Sequence, residues 1–410
     1  MTTATKSALT RWPEPKLFRV IAWTCIVSGA VGIIMRLRME SSVGLTAGGT
    51  YAFGDDFICF WSGPRLALLG RFPEAYDFER FHQFAMSVLG GPIHMYHYDY
   101  PPSMALLMLP FALLPYVGGL AAWFFGGCLA FAAVVRKSWP IAGAGLRDPM
   151  LYALAMPALL MNALSGQTGA WTAGLLGGGL VLLERQPILA GVLLGLLSVK
   201  PQIALLLPVA LLFGRQWRAL ASFVGVVAML LAGSALAFGL DVWHGFFERV
   251  AVLRGPVLED GAGLWHLFAS VFVFVRHLPA PLPVAYAVQA AVSLAAVASV
   301  IVAWRSRASA RHKNAVLVMA ICFATPYILV YDLVVTALVP LWLYTEMQTH
   351  TRVRGRYRLA FALLILTPMI SPGITQMTGI NIGCLLLLPA AIAASYACRR
   401  SRAQSDWAVA

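Results

Sequence analysis

The feature that most constrains this chain is the recurrence of apolar runs of membrane-crossing length, separated by short connectors that carry much of the charge. A helix needs about 20 consecutive apolar residues to cross a bilayer. The runs at 17–35, 218–238, 283–304 and 379–397 meet that length, and shorter or paired runs occupy 103–136, 149–184, 187–213, 314–345 and 358–372. With 60% hydrophobic and 11% charged residues over 410 positions and a mean hydropathy of +0.77, the chain has more apolar surface than one water-soluble core can absorb. The expected fold class is all-α: a polytopic transmembrane helix bundle of about twelve helices, built as a single integral membrane domain over 1–410.

The formal charge of +13 would suggest nucleic acid in a soluble protein. Here the basic residues sit between apolar runs, as topology signals do, and no basic face suited to nucleic acid is present. Arg305, Arg307, Arg311 and Lys313, then Arg352, Arg354, Arg356 and Arg358, then Arg399, Arg400 and Arg402 fall at alternate ends of the late helices. Positive charge accumulates on the cytoplasmic side, so these connectors and both termini are expected there. Residues 36–102 and 239–282 then form two large extracytoplasmic loops, in a multi-pass protein of the bacterial cytoplasmic (inner) membrane. Lys6, Arg11, Lys16 and Arg19 precede or open the first run, and no small-residue cleavage site follows it, so that run reads as a retained helix. The cysteines (Cys25, Cys59, Cys128, Cys322, Cys384 and Cys398) show neither CxxC nor Cys/His spacing. No disulfide framework, metal or cofactor is expected.

Counting 103–115 and 117–136 as separate crossings puts the C-terminus on the wrong side, so one short segment is expected to be re-entrant or half-length. Pro101, Pro102, Pro110, Pro115 and the pair Lys200-Pro201 mark the expected breaks. Broken helices in membranes line cavities.

Of the 17 acidic residues, seven lie in the first outer loop: Glu40, Asp55, Asp56, Glu74, Asp77, Glu79 and Asp99. The stretch 55–77 reads as a short amphipathic helix lying at the membrane interface, with Asp55 and Asp56 at its start. Two readings stand for this pair. One carboxylate caps the helix N-terminus, or one caps while the other takes a proton from an incoming hydroxyl. Lys200 and Asp332 interrupt apolar runs, which is costly in lipid unless they face protein or water; Lys200 also fits a side chain snorkelling to the interface. Gln167 and Gln202 fit either a substrate site or hydrogen bonding between helices. Arg65, Lys200 and Arg71 are the cations suited to a lipid phosphate. His97, Tyr98, Tyr100, Trp243, Trp265 and His266, in or beside the outer loops, suit either contact with a sugar or anchoring at the interface.

In order and position, Asp56-Phe57 with Trp61, the Gly70–Asp77 stretch ending Ala-Tyr-Asp, Tyr100-Pro101-Pro102, Gly166-Gln167, Lys200-Pro201 and Thr325-Pro326 resemble the glycosyltransferases of family 87. That family has the GT-C fold and includes polyprenol-phosphate-mannose-dependent mannosyltransferases. The resemblance covers about residues 50–345. It implies a sugar donor carried on a polyprenyl phosphate, a lipid or glycan acceptor, an inverting displacement, and an acidic first-loop residue as base, the matching position being Asp56. Lys200 and Arg65 would bind the donor phosphate. Asp55, His97, Tyr100, Gln167, Gln202, Tyr331 and Asp332 would line the substrate site. Where mycobacterial members carry a histidine-containing stretch after the late Ser/Thr-Pro, this chain has Tyr331-Asp332, so no helper role carries over there. The competing readings are a lipid-linked-glycan flippase or transporter, an O-antigen ligase or polymerase, and a non-catalytic assembly factor. A transporter would be expected to show repeat symmetry, and none is evident.

Overall fold

The structure is a computed structural model that describes residues 15–38, 44–47, 51–141, 146–349 and 354–407. Lys6, Arg11, Glu40 and Arg352 lie outside the described residues. The first apolar run forms helix α1 (Pro15–Arg38). A two-residue antiparallel hairpin, Thr46–Ala47 with Tyr51–Ala52, then leads into α2 (Phe57–Leu68). A 3-10 turn over Phe72–Tyr76 and α3 (Phe78–Leu89) complete the stretch expected as the first outer loop. α2 is not the amphipathic helix that the sequence suggested. Phe57, Ile58, Phe60, Trp61 and Leu66 are all buried, in a small core that the loop shares with the segments at Met104–Met108 and Tyr116–Trp123. The amphipathic helix is instead α3, whose Phe81, Ala85 and Leu89 recur every four residues along one buried stripe.

Proline placement explains the next elements. α4 (Pro102–Ala112) begins on Pro102, and α5 (Tyr116–Ser138) restarts directly after Pro115. At 11 residues, α4 extends about 16 Å, half of what a crossing needs, and it supplies the half-length segment expected in this region. The run at 149–184 divides into α6 (Arg147–Leu154), α7 (Pro157–Leu164) and α8 (Gly169–Leu182). The run at 187–213 divides into α9 (Pro187–Gly195), a 3-10 turn, α10 (Pro201–Ala204) and α11 (Leu207–Phe213), with the expected break at Lys200. α12 (Trp217–Phe238) is followed in the second outer loop by α13 (Leu240–Leu253), a π-helical turn over Arg254–Glu259 and α14 (Val271–His277).

α15 (Leu282–Arg305) and α16 (Ala310–Ala324) form a hairpin. The chain then breaks at Thr325 and continues as a 3-10 helix over Val330–Ala337, α17 (Leu338–Trp342) and α18 (Tyr344–Thr349). α19 (Arg354–Thr378) is one long helix where the sequence indicated only 358–372, and it continues through Pro368 and Pro372. α20 (Gly383–Trp407) begins later than the run at 379–397. Gly379 takes φ +71, and the Asn381 amide, bonded to the carbonyls of Trp265 and Phe268 at 2.8 and 2.7 Å, holds the intervening turn. Among the described residues, α5, α12, α15 and α19 are long and apolar enough to cross a membrane. The main core gathers α5 to α12, α15 to α17, α19 and α20, so the molecule is an all-α, multi-pass helical bundle with the first outer loop packed on it.

Candidate active site

Three chain breaks meet at one point. The turn at 53–56 precedes α2, the Gly-Gln-Thr-Gly stretch at 166–169 precedes α8, and Tyr331-Asp332 follows the break at Thr325. Two glycines permit this. Gly166 has φ +58, in the left-handed region that favours glycine, and a Cβ there would overlap the Gly54 carbonyl oxygen. Gly169 has the Tyr331 carbonyl where its Cβ would be. The Asp56 amide reaches the Ser165 carbonyl at 3.3 Å, which ties the outer loop to the bundle at the same place.

Asp56 occupies the N-cap position of α2 but makes no side-chain cap bond. Its carboxylate instead accepts from Gln167 Nε2 at 2.7 Å. The same amide lies 3.2 Å from the Tyr100 hydroxyl, and Gln167 Oε1 accepts from the Thr168 amide at 3.3 Å. Burial is the largest cause that lifts Asp56 from its ordinary 3.8 to about 7; Asp55 and Asp99 add to it, while the Gln167 bond and Lys200 act against it. Asp55 has φ +50 and accepts from the Tyr96 hydroxyl at 2.9 Å, and that hydroxyl also accepts from the Ala52 amide. Tyr76 donates to the Tyr100 carbonyl at 2.8 Å, which fixes the backbone beside the site.

Below this cluster, Lys200 Nζ donates to Thr168 Oγ1 at 2.9 Å and pairs with Asp332, and it lies 5.4 Å from the centre of the Tyr331 ring. Asp332 is fully buried and also accepts from the Leu329 amide. Lys200 is therefore an interior cation at a helix break and does not snorkel. Two grooves converge here. One, of about 320 Å³, is lined by Val117, Leu120, Phe124 and Trp171 and ends on Asp55 and Gln167. The other, of about 180 Å³, is lined by Met104, Met108, Leu175 and Leu197 and ends on Tyr100, Thr168 and Lys200.

The structure thus brings together Asp55, Asp56, Tyr100, Gln167, Lys200, Tyr331 and Asp332. Arg65 stands in the last turn of α2, bonded to the Ala112 carbonyl at 3.3 Å and 5.6 Å from the Trp61 ring centre, two and a half helical turns from Asp56. Among the described residues, no hydrogen bond joins Gln202 to the cluster. His97 faces the second outer loop, with Nδ1 3.3 Å from Arg249 Nη2, and burial first and Arg249 second depress it to about 4. Thr168, Tyr96 and Arg249 were not singled out from sequence, and Asp99 only as one of the seven acidic residues of the first outer loop. Thr168 lies inside a quoted motif, but nothing distinguishes Arg249 from the other basic residues of its loop. Among the described residues no group of His, Cys, Asp or Glu could hold a metal ion.

The profile of glycosyltransferase family 87 matches residues 98–330. That span contains Tyr100, Gln167, Thr168 and Lys200, and Asp56 and Asp332 lie outside it. No curated protein and no solved structure matches the chain. The match covers more than half of the sequence and includes the segments that carry Tyr100, Gln167 and Lys200, so the chain belongs to glycosyltransferase family 87 and is a sugar-transferring membrane enzyme.

Proposed function

We propose that the protein transfers a hexosyl unit, such as mannose, from a polyprenyl-phosphate carrier to a lipid or glycan acceptor on the extracytoplasmic face, with inversion. The observation that carries this reading is a half-buried carboxylate, Asp56, and a buried ammonium, Lys200, joined through Gln167-Thr168, where two apolar grooves converge. A polyprenyl chain requires an apolar groove, and its phosphate requires a cation at the end of it. The groove that ends on Lys200 offers both. An ammonium has three donors; Thr168 and Asp332 take two, and the third is assigned to the carrier phosphate. A phosphate leaves readily once its growing charge is neutralised, so the protein mainly orients the donor and activates the acceptor.

Asp56 acts as general base. The acceptor oxygen forms a bond to the anomeric carbon as the bond from that carbon to the phosphate oxygen breaks. The electron pair of the broken bond stays on the polyprenyl phosphate, and the hydroxyl proton passes to Asp56. A base poised near neutral pH suits this step. The groove that ends on Asp55 and Gln167 is assigned to the apolar part of a lipid acceptor.

The test is a transfer assay in membranes that carry the protein, with radiolabelled polyprenyl-phosphate hexoses as donors and extracted native lipids as acceptors. The expected result is a labelled product that depends on the protein and is lost in Asp56→Asn. Transfer from a nucleotide sugar alone, in membranes depleted of polyprenyl phosphate, would overturn the donor assignment.

A further inference from the structure

The reaction described above gives no role to Asp99, a carboxylate beside the site. Asp99 immediately precedes Tyr100, whose hydroxyl shares the Gln167 amide with Asp56, and it lies close enough to Asp56 to act on its ionisation. Its side chain is 41% exposed, while that of its ion-pair partner, Arg249, is 2% exposed. The pair joins the two outer loops, since Asp99 ends the first and Arg249 sits on α13 in the second.

Arg249 is held tightly. Its Nε stands 3.5 Å from Asp99 Oδ1, its Nη2 lies 3.3 Å from His97 Nδ1, and its guanidinium lies over the Phe78 ring. Its Nε and Nη1 are buried and make no hydrogen bond among the described residues. Burying a guanidinium in this state is costly, and a tie between two loops does not require it. An exposed pair, or an apolar contact between α13 and the Phe72–Tyr76 turn, would join the loops at lower cost. The arrangement instead ties Oδ1 of the Asp99 carboxylate to Arg249 while the side chain stays partly exposed beside the site.

An ionised carboxylate with two oxygens accepts from two neighbouring hydroxyls, and a carboxylate immobilised by arginine offers them without first being ordered. The His97 ring stands next to the pair, edge-to-face with Phe78 at 4.9 Å. We propose that Asp99, positioned by Arg249, binds sugar hydroxyls at the outer mouth of the site, as a specificity-determining residue for the ring of either the donor or the acceptor. This inference rests on the glycosyl-transfer reading above, but not on Asp56 being the base.

Ligand affinity in the full-length Asp56→Asn protein, reconstituted in nanodiscs, tests it. The donor probes are farnesyl phosphate and its mannosyl and glucosyl esters; the acceptor probes are octyl mannoside and octyl glucoside. Charge-assisted hydrogen bonds correspond to about tenfold to hundredfold in affinity. Adding Asp99→Asn should weaken the farnesyl phosphohexoses by that factor and leave farnesyl phosphate unchanged, which assigns the donor ring. Weakened octyl glycoside with an unchanged donor assigns the acceptor ring. Arg249→Gln should reproduce the effect, and Arg249→Lys should restore part of it.

Unchanged affinity for every glycoside in Asp99→Asn overturns the proposal. So does an equal loss for farnesyl phosphate, which reports a structural role, or the absence of any sugar-dependent gain in the Asp56→Asn protein. Turnover by Asp56→Asn in the transfer assay would remove the base assignment and leave these affinities interpretable.

Discussion

Gln167 donates to Asp56 at 2.7 Å across 111 residues of sequence, one of the bonds that join the first outer loop to the mouth of the helix bundle. It also moderates the basicity that burial gives the carboxylate, because a hydrogen bond to the charged form favours ionisation. Asp56 is held up at about 7 with this bond in place.

Activity should therefore fall as pH drops through about 7, since the base must be ionised to take the acceptor proton. Gln167→Leu removes a donor to the ionised form, so its acid limb should move to higher pH with donor affinity retained. Asp56→Asn should lose about 100- to 10,000-fold in kcat while Asp55→Asn keeps appreciable activity. The measurement is kcat against pH for the four proteins. An acid limb that stays in place in Gln167→Leu, or near-normal turnover by Asp56→Asn, removes Asp56 from the mechanism.

The same shift has a consequence for stability. The folded pKa of Asp56 is raised from 3.8 to about 7, so the folded state holds its proton more tightly than the unfolded chain does. The stability this contributes is fully present below about 4 and is lost as pH rises to about 7. The Tm of the wild-type protein, relative to Asp56→Asn, should fall across that window and level off above it. Melting curves in detergent between pH 4 and 8 check this, and a difference that rises with pH contradicts the shift.

How much of this was legible in the sequence follows from which signals are local. The runs that became α12 and α15 could be read from hydropathy, and the break at Lys200 from the proline after it, because each depends on neighbouring residues alone. α2 was misjudged as amphipathic because its apolar residues are the same ones a membrane surface would select. Only the packing of α3, α4 and the Phe72–Tyr76 turn around it distinguishes the two. In the site, Lys200 and Asp332 stood out as charges within apolar runs, yet their pairing across 132 residues did not. Asp99 and Arg249 carried no local signal, since a charge in an outer loop is ordinarily solvated. Their importance comes from the burial of Arg249, which is a property of the folded loops.

Orientation in the membrane decides whether the site faces the carrier. On the proposed orientation the arginine clusters at 305–313 and 399–402 lie in the cytoplasm, as the accumulation of positive charge on that side implies, and α2, α3 and the site lie outside. A reporter that is active only outside the cytoplasm, such as alkaline phosphatase, should be active when fused after Phe78 and inactive when fused after Arg356. The reverse pattern would put Asp56 on the side opposite to the proposed reaction.

The last prediction separates the structural role of Lys200 from its role toward the donor. Lys200 and Asp332 form a pair buried inside the bundle, and removing one member of such a pair typically costs about 3–5 kcal/mol because the other charge is left uncompensated. Replacing both with apolar groups is often neutral or stabilising. Lys200→Met should thus destabilise the protein markedly, Asp332→Leu should do the same, and the double variant Lys200→Met/Asp332→Leu should recover most of the wild-type Tm. If Lys200 also holds the carrier phosphate, the double variant, although stable, should still bind farnesyl phosphate at least tenfold more weakly than wild type, since a charge-assisted bond contributes about 1.5–3 kcal/mol. Tm and farnesyl phosphate affinity, measured on the same four preparations, give the answer. A double variant that regains both stability and affinity would make the pair a packing device and move the phosphate site elsewhere along the groove.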